Sequence, residues 1–299
     1  MRALVSCTHL IRDLDEFRQQ FLAAGIEPVA ADVPGQQLEG EELVRQLVGC
    51  DGVVAGDDAF SREVMQRSPQ LRAIAKWGIG TDGIDFAAAA DHDIRVSNTP
   101  GMFDDEVADV AIAYLITLAR GLHLIDRGVR DGAWPKPPGR SLKGQTLAVV
   151  GFGGIGRATA RRAVAMGMHV LAVDPGPAAQ SAATEDGVQV LGLHEALRQA
   201  DAVSLHCPLN QATHHLMDAA AFAVLRPGAL LVNVARGPVV DEVALLAALA
   251  DGTVETAALD VFEDEPLPTD DPLRSVDHLV FGSHNASNTT HAAARTHTA

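Results

Sequence analysis

Three glycines and one acid have the types and spacing for a definite chemistry. Gly151, Gly153 and Gly156 lie in Gln145-Thr-Leu-Ala-Val-Val-Gly-Phe-Gly-Gly-Ile-Gly-Arg157, and Asp174 follows eighteen residues after the last of them. A buried strand-like run leads directly into this loop, and the loop opens a helix that runs to Ala165. Gly151 suits the tight turn, Gly153 lets backbone approach a pyrophosphate, and Gly156 lets helix and strand pack closely. Gly154 and Ile155 complete the loop, whose free N–H groups at a helix start favour phosphate. At the end of the next strand, Asp174 can accept from both ribose hydroxyls of NAD, and its charge repels the 2′-phosphate of NADP. Pro175 follows and no arginine is near, so the expected cofactor is NAD.

Other reactive side chains carry less. Cys7, Cys50 and Cys207 are an odd, widely spaced set, which fits neither a disulfide framework nor a CxxC metal site. Cys207 follows a strand-like run and reads as a small buried hydrophobe. No close Cys/His set stands out among the 12 histidines, so no metal is expected, and His214 and His215 read as surface residues.

The elements that must position these residues alternate along the whole chain. Apolar runs at Ala3–Ser6, Pro28–Ala31, Gly52–Ala55, Leu71–Lys76 and Ile94–Ser97 are separated by amphipathic runs. A long helix is expected from Asp105 to about Arg120, ended by Gly121. The pattern then breaks into a loop or arm between Arg127 and Gly144 that contains Trp134. Six further strand-like runs follow, at Thr146–Val150, His169–Val173, Ala202–Cys207, Ala229–Ala235, Thr256–Val261 and His278–Gly282. Strands alternating with helices imply parallel sheets, hence an α/β protein. The expected domains are 1–98, 99–283 and a return to the first over 284–299.

Composition excludes several classes. With 299 residues, the chain is long enough for two domains, and 47% hydrophobic against 21% charged residues is ordinary for a folded soluble protein. The 39 acidic and 23 basic residues give a net charge of −16, which repels nucleic acid and anionic membranes and means that an acidic substrate needs a local basic pocket. The start MRALVSCTHL has no apolar signal region, and no apolar run approaches the roughly 18 residues that span a bilayer, so the expected compartment is the cytoplasm.

The chain resembles the D-isomer-specific 2-hydroxyacid dehydrogenases. The resemblance rests on Lys76-Trp-Gly-Ile-Gly-Thr-Asp-Gly-Ile-Asp85, Asn98-Thr-Pro-Gly101, Val107-Ala-Asp109, the mid-chain glycine loop and His206-Cys-Pro-Leu209. It continues through Asn233-Val-Ala-Arg-Gly237, Leu259-Asp-Val-Phe-Glu-Asp-Glu-Pro266 and Ser283-His-Asn285, in the family's order. It implies two Rossmann-like, doubly wound parallel-sheet domains with an interdomain cleft: a flavodoxin-like substrate domain and an NAD-binding domain. The family's catalytic trio matches Arg236, Glu265 and His284, with Ser283 where the family has Pro. Gly78, Ile79 and Gly80 match the loop whose backbone N–H groups hold the substrate carboxylate, together with Arg236. Asp260 and Ala235 match residues beside the nicotinamide carboxamide. His206, with Cys207 and Pro208, either lines the adenine side of the cofactor or is merely buried.

The residue types suit the implied reaction. When hydride leaves C2 of a hydroxy acid the hydroxyl proton must leave too, and a histidine accepts it near neutral pH. A carboxylate beside that histidine stabilises the imidazolium, and an arginine grips the acid end of the substrate. The expected activity is NAD-linked interconversion of a D-2-hydroxy acid and its 2-keto acid. Phosphoglycerate dehydrogenase is the branch most resembled and glyoxylate/hydroxypyruvate reductase the second; an NAD-sensing interaction protein of the same fold is the alternative of another class. Against the first branch, Ala55-Gly-Asp-Asp58 places acid where it carries an arginine, leaving Arg62, Arg72 or Lys76 as substitutes. A homodimer is the expected assembly. The segment 284–299 is shorter than the family's closing stretch and reads as a short helix or a truncated tail.

Overall fold

Two parallel sheets account for the alternation of apolar and amphipathic runs. The computed structural model describes residues 1–298. They form two compact units, Met1–Met102 with the segment from Asn288 onward, and Phe103–Ser287.

In the first unit, strands β1 (Arg2–Val5), β2 (Glu27–Ala30), β3 (Gly52–Ala55), β4 (Ala73–Lys76) and β5 (Arg95–Ser97) pair in the order β2-β1-β3-β4-β5. That is the flavodoxin-like order. The crossovers are α1 (Thr8–Ala23), α2 (Gly40–Leu47), α3 (Arg62–Gln66) and α4 (Phe86–Asp91). Leu4, Leu43, Leu47, Val53, Phe60 and Ile74 fill the core between sheet and helices. Ser61 and Asp85 cap α3 and α4 by accepting from Val64 and Ala88 N–H, satisfying donors that the first helical turn leaves unpaired. Ala55 is in register with Lys76, so the loops after β3 and β4 emerge side by side.

The second unit starts with α5 (Asp104–Arg120) and α6 (Leu122–Arg130). Asp104, Asp105 and Glu106 in the first turn of α5 and Arg120 in its last complement the helix dipole. Val107, Ala111, Leu115 and Leu118 are buried at the expected helical spacing, and Gly121, at φ +59, ends the helix in a left-handed turn. The next helix outlasts the expected break at Arg127 and reaches Arg130, whose guanidinium bonds to Asp126 one turn back at 2.8 Å.

The second sheet contains β6 (Thr146–Val150), β7 (His169–Val173), β8 (Gln189–Val190), β9 (Ala202–Leu205), β10 (Ala229–Asn233), β11 (Val254–Leu259) and β12 (Val280–Phe281). Between them run α7 (Gly154–Ala165), α8 (Pro177–Glu185), α9 (Leu193–Leu197), α10 (Ala219–Ala223) and α11 (Glu242–Ala250). The order is β12-β11-β10-β9-β6-β7-β8, a doubly wound sheet whose strand order reverses between β6 and β9. The sequence pattern misses β8, because two residues are too few to show a period. Helix α12 (Thr290–His297) then returns to the first unit.

Both changes of unit fall four residues beyond 98 and 283, where the pattern alone puts them. Hydrogen bonds explain the offsets. Asn98 and Thr99 bond back to Ile79 and Gly78, which keeps that loop with the first sheet. His284 and Ala286 N–H both bond to Asp260, which keeps their loop with the second. Among the described residues, no single helix is long and apolar enough to cross a membrane.

Candidate active site

The glycine loop leaves the carboxyl end of β6. Gly151, at φ +90, donates to Val173 O, and a Cβ there would lie 2.5 Å from Cys207 N. A Cβ at Gly156 would lie 2.0 Å from Gly151 O, so each glycine excludes a side chain for a separate packing reason. Gly154 is tight for a reason absent from the sequence pattern: its Cβ would strike the Asp104 carboxylate at the start of α5. Burial and neighbouring Asp105 push the Asp104 carboxyl above the usual carboxylate range. A Cβ at Gly153, by contrast, would meet nothing within 4 Å, as backbone open to a pyrophosphate requires.

Asp174 follows β7 and is held by the loop itself. Its Oδ2 accepts from Phe152 N–H at 2.9 Å and its Oδ1 from Gly176 N–H at 2.8 Å. Each oxygen keeps a further lone pair for a ribose hydroxyl. The donor set therefore fits NAD: open backbone at a helix start for the phosphates and an oriented carboxylate for the ribose. Asp174→Ala is expected to weaken NADH binding about tenfold or more while leaving turnover at saturating NADH nearly unchanged. Fluorescence titration of NADH and saturation kinetics measure the two effects.

His206 follows β9 and donates its backbone N–H to Val150 O. Its Nε2 meets Ser204 Oγ at 2.8 Å, while Nδ1 is enclosed and has no partner among the described residues. Burial pushes the ring down to about 3, so it is neutral at physiological pH and unsuited to proton exchange with substrate. Cys207 is buried, and burial raises its thiol to about 11, which makes it a small hydrophobe and not a nucleophile. Pro208 is exposed, and its carbonyl accepts from Thr213 Oγ1 at 2.6 Å.

Arg236, Glu265 and His284 follow three adjacent strands, β10, β11 and β12. Buried Asn233 shapes the first turn: its Nδ2 donates to Arg236 O at 2.9 Å and its Oδ1 accepts from Ala235 N–H at 3.0 Å. Ala235 O accepts from Arg236 Nη1 at 2.8 Å, so both backbone groups of Ala235 have partners within the turn. Gly237 clamps that turn to the next loop, since a Cβ there would fall 1.8 Å from the Phe262 carbonyl. Phe262 N–H donates to Glu265 Oε1 at 2.9 Å, and His284 Nδ1 meets Glu265 Oε2 at 2.7 Å. Assigning the Nδ1 proton to that bond leaves Nε2 as the nitrogen that can exchange a proton.

Asp260 holds the loop on which His284 sits. Its carbonyl accepts from His284 N–H at 2.7 Å, and its Oδ2 accepts from Ala286 N–H at 2.9 Å. Its Oδ1 accepts from the hydroxyl of Tyr114 at 3.1 Å, and burial, with Asp260 beside it, raises the tyrosine's pKa. Asn233 and Asp260 both stand in the sequence motifs; Asn233 braces its own turn, whereas the role of Asp260 depends on contacts across loops. Tyr114, the chain's one tyrosine, belongs to no motif.

In the first unit, Gly78 N–H donates to Thr99 Oγ1 at 3.0 Å and Gly78 O accepts from Thr99 N–H at 3.0 Å. The Gly78 N–H therefore already has a partner within its own unit. Those of Ile79 and Gly80 donate to nothing among the described residues. Lys76 is buried beneath this turn, its Nζ donating to Gly56 O at 2.6 Å and to Asp57 at 2.7 Å. The same Nζ lies 3.4 Å from the place of a Gly78 Cβ. Arg62 is paired with Asp91, and Arg72 precedes β4 at the end opposite the loop.

A second acidic pair braces the Glu265 loop. Glu242 N–H donates to Glu263 Oε1 and Glu263 N–H to Glu242 Oε1, at 3.1 and 2.9 Å. His215 Nε2 also meets Glu263 Oε1 at 3.1 Å, a contact that reading it as a surface residue did not foresee. Burial first, then the negative charge of Glu263, raises the Glu242 carboxyl from 4.5 to about 7. A raised folded-state pKa means that the folded protein holds this proton more tightly. Its stabilising contribution is complete below pH 4.5 and is lost as pH rises through about 7. Glu242→Gln is therefore expected to raise Tm at pH 8 by about 2 °C or more and to bring no gain at pH 4. Calorimetry at the two pH values checks the sign.

Oriented cofactor-binding backbone and a carboxylate-bound histidine at the strand ends of one sheet are what an NAD-linked dehydrogenase uses. The model of the "D-isomer specific 2-hydroxyacid dehydrogenase, NAD binding domain" family matches residues 112–286. A (S)-sulfolactate dehydrogenase from Chromohalobacter salexigens is 42% identical over 236 residues, 78% of this chain and 76% of that one. A glyoxylate reductase from Korarchaeum cryptofilum is 38% identical over 257 residues, 82% and 76% of the two chains. Among solved structures, D-lactate dehydrogenase from Aquifex aeolicus, complexed with NAD and lactic acid, superposes with a TM-score of 0.86 at 26% identity, covering 100% of this chain and 92% of that one. The chain belongs to the D-isomer specific 2-hydroxyacid dehydrogenase family, and its cofactor is NAD.

Proposed function

We propose that the protein reduces a small, unphosphorylated 2-keto acid such as glyoxylate or hydroxypyruvate to the 2-hydroxy acid, in the D form where C2 is a stereocentre, and runs the reverse oxidation. The observation that carries the chemistry is the 2.7 Å bond between His284 and Glu265. NADH, when bound, supplies the hydride that C2 receives. His284 Nε2 gives its proton to the carbonyl oxygen as that oxygen becomes a hydroxyl, and takes one back in oxidation. Glu265 fixes the ring's orientation and stabilises the imidazolium before the proton leaves. The Arg236 guanidinium and the N–H groups of Ile79 and Gly80 are the proposed partners of the substrate carboxylate.

Preference for an unphosphorylated substrate rests on charge. Lys76, the cation beside the Gly78 turn, already has Asp57 as its partner at 2.7 Å. A phosphate dianion would meet that carboxylate as well as the ammonium, whereas glyoxylate and hydroxypyruvate bring no second anion. A panel of 2-keto acids with NADH, with and without phosphate, followed by NADH absorbance, tests the reading. Higher kcat/KM for a phosphorylated acid would restore the phosphoglycerate reading. Tight NADH binding with no turnover on any acid would favour the interaction-protein reading.

We also propose a homodimer seated on α6 and the arm that follows. That helix buries none of its own residues, and Leu122, Leu124 and Val129 are exposed on it, with Trp134 76% exposed beyond it. Trp134→Glu is expected to convert a dimer to a monomer in sedimentation equilibrium, and a monomeric parent protein would refute the assembly.

A further inference from the structure

The indole that precedes the substrate turn is tied to the far end of the chain. Trp77 is buried, and its Nε1–H donates to His297 Nδ1 at 3.1 Å. His297 Nε2 in turn meets Asp13 Oδ2 on α1 at 3.1 Å. Only one tautomer satisfies both bonds: Nδ1 accepts from the indole and Nε2–H donates to the carboxylate. The imidazole is 1% exposed, packs edge-on against Phe17 at 4.9 Å, and the opposite partner of the indole is His9, stacked at 4.9 Å and 17°. Trp77 is therefore gripped at its polar edge and on a face, within one unit, by α1 and α12.

Trp77 N–H donates to Ala55 O, and the next residues supply the two open N–H groups at Ile79 and Gly80. Thr99 and Asn98 fix the turn from one side. The indole, held at its edge by His297 and on a face by His9, anchors the residue that leads into Gly78. We propose that His297 is a positioning residue for substrate: through Trp77 it sets the direction of the Ile79 and Gly80 N–H groups. This rests on the reading of that turn as the carboxylate-binding loop. His297 is enclosed by Trp77, Asp13 and Phe17 and reaches the turn only through the indole, so its effect belongs in KM for the keto acid and not in NADH binding or in the proton step.

The test uses the full chain with NADH and glyoxylate. His297→Ala is expected to raise KM for glyoxylate about tenfold, to change kcat less than about threefold, and to leave the NADH dissociation constant unchanged. His297→Asn, whose side-chain oxygen can still accept from the indole, is expected to recover most of the loss. Trp77→Phe is expected to match His297→Ala, with no further loss in the double variant. In a Trp134→Phe background, Trp77 is the only indole, so its emission reports the contact directly. A fluorescence shift in His297→Ala without a change in KM overturns the proposal, because the contact is then lost and substrate binding does not respond. An unchanged spectrum with unchanged KM overturns it by removing the contact. A parallel rise in KM and in the NADH dissociation constant also overturns it, because the effect is then a general loss of structure.

Discussion

Replacing His284 by Asn is expected to lower kcat for keto-acid reduction by about 10²–10⁴-fold, the usual worth of a placed acid–base group. Asn is the informative substitute. The residue sits at φ +54, a left-handed conformation that Asn tolerates well, and an amide can still donate to Glu265. Backbone and loop are thereby kept while the exchangeable proton is lost. NADH affinity should not move, because Asp174 and the glycine loop are untouched. Stopped-flow reduction under single-turnover conditions separates chemistry from product release. Single-turnover rates within threefold of the parent would show that another group handles the proton.

Arg236→Ala is expected to lower kcat/KM for the keto acid by about 10²–10³-fold, as removing one partner of a desolvated charge pair costs several kcal/mol. Arg236→Lys should recover only part, since an ammonium cannot present the planar fork that matches a carboxylate. Either variant keeps the bonds by which Asn233 holds the turn, to the Arg236 carbonyl and the Ala235 N–H, while Arg236→Ala gives up the guanidinium's bond to Ala235 O. Steady-state kinetics with a neutral substrate analogue provides the control. If the analogue loses as much as the acid, Arg236 does not bind the carboxylate.

How far the site can be read from the chain depends on where each constraint arises. Gly151, Gly156 and Asp174 are visible because strand, turn and helix follow one another without a break and the spacing itself encodes the geometry. Glu265 and His284 lie nineteen residues apart and are recognisable only through the family's motif order. No local pattern indicates that Asn233 occupies the N–H of Ala235, that Thr99 occupies that of Gly78, or that Tyr114 reaches Asp260. The last two bonds join segments distant in sequence, which only packing brings together, whereas the first is a local side-chain turn two residues long. Similarly, Gly154 reads as part of a phosphate loop but is constrained by Asp104 fifty residues earlier. The parallel sheets were legible because their buried strands repeat; β8 was not, because its two residues repeat nothing.

The left-handed backbone at residue 284 has an evolutionary consequence. A β-carbon in that region costs on the order of 1 kcal/mol, and an imidazole is a poorer occupant than Asn or Gly. Selection for turnover therefore opposes selection for folding at this one position. A lineage that kept the fold for another purpose and abandoned the reaction would drift towards Asn or Gly at residue 284, gaining thermal tolerance as it lost catalysis.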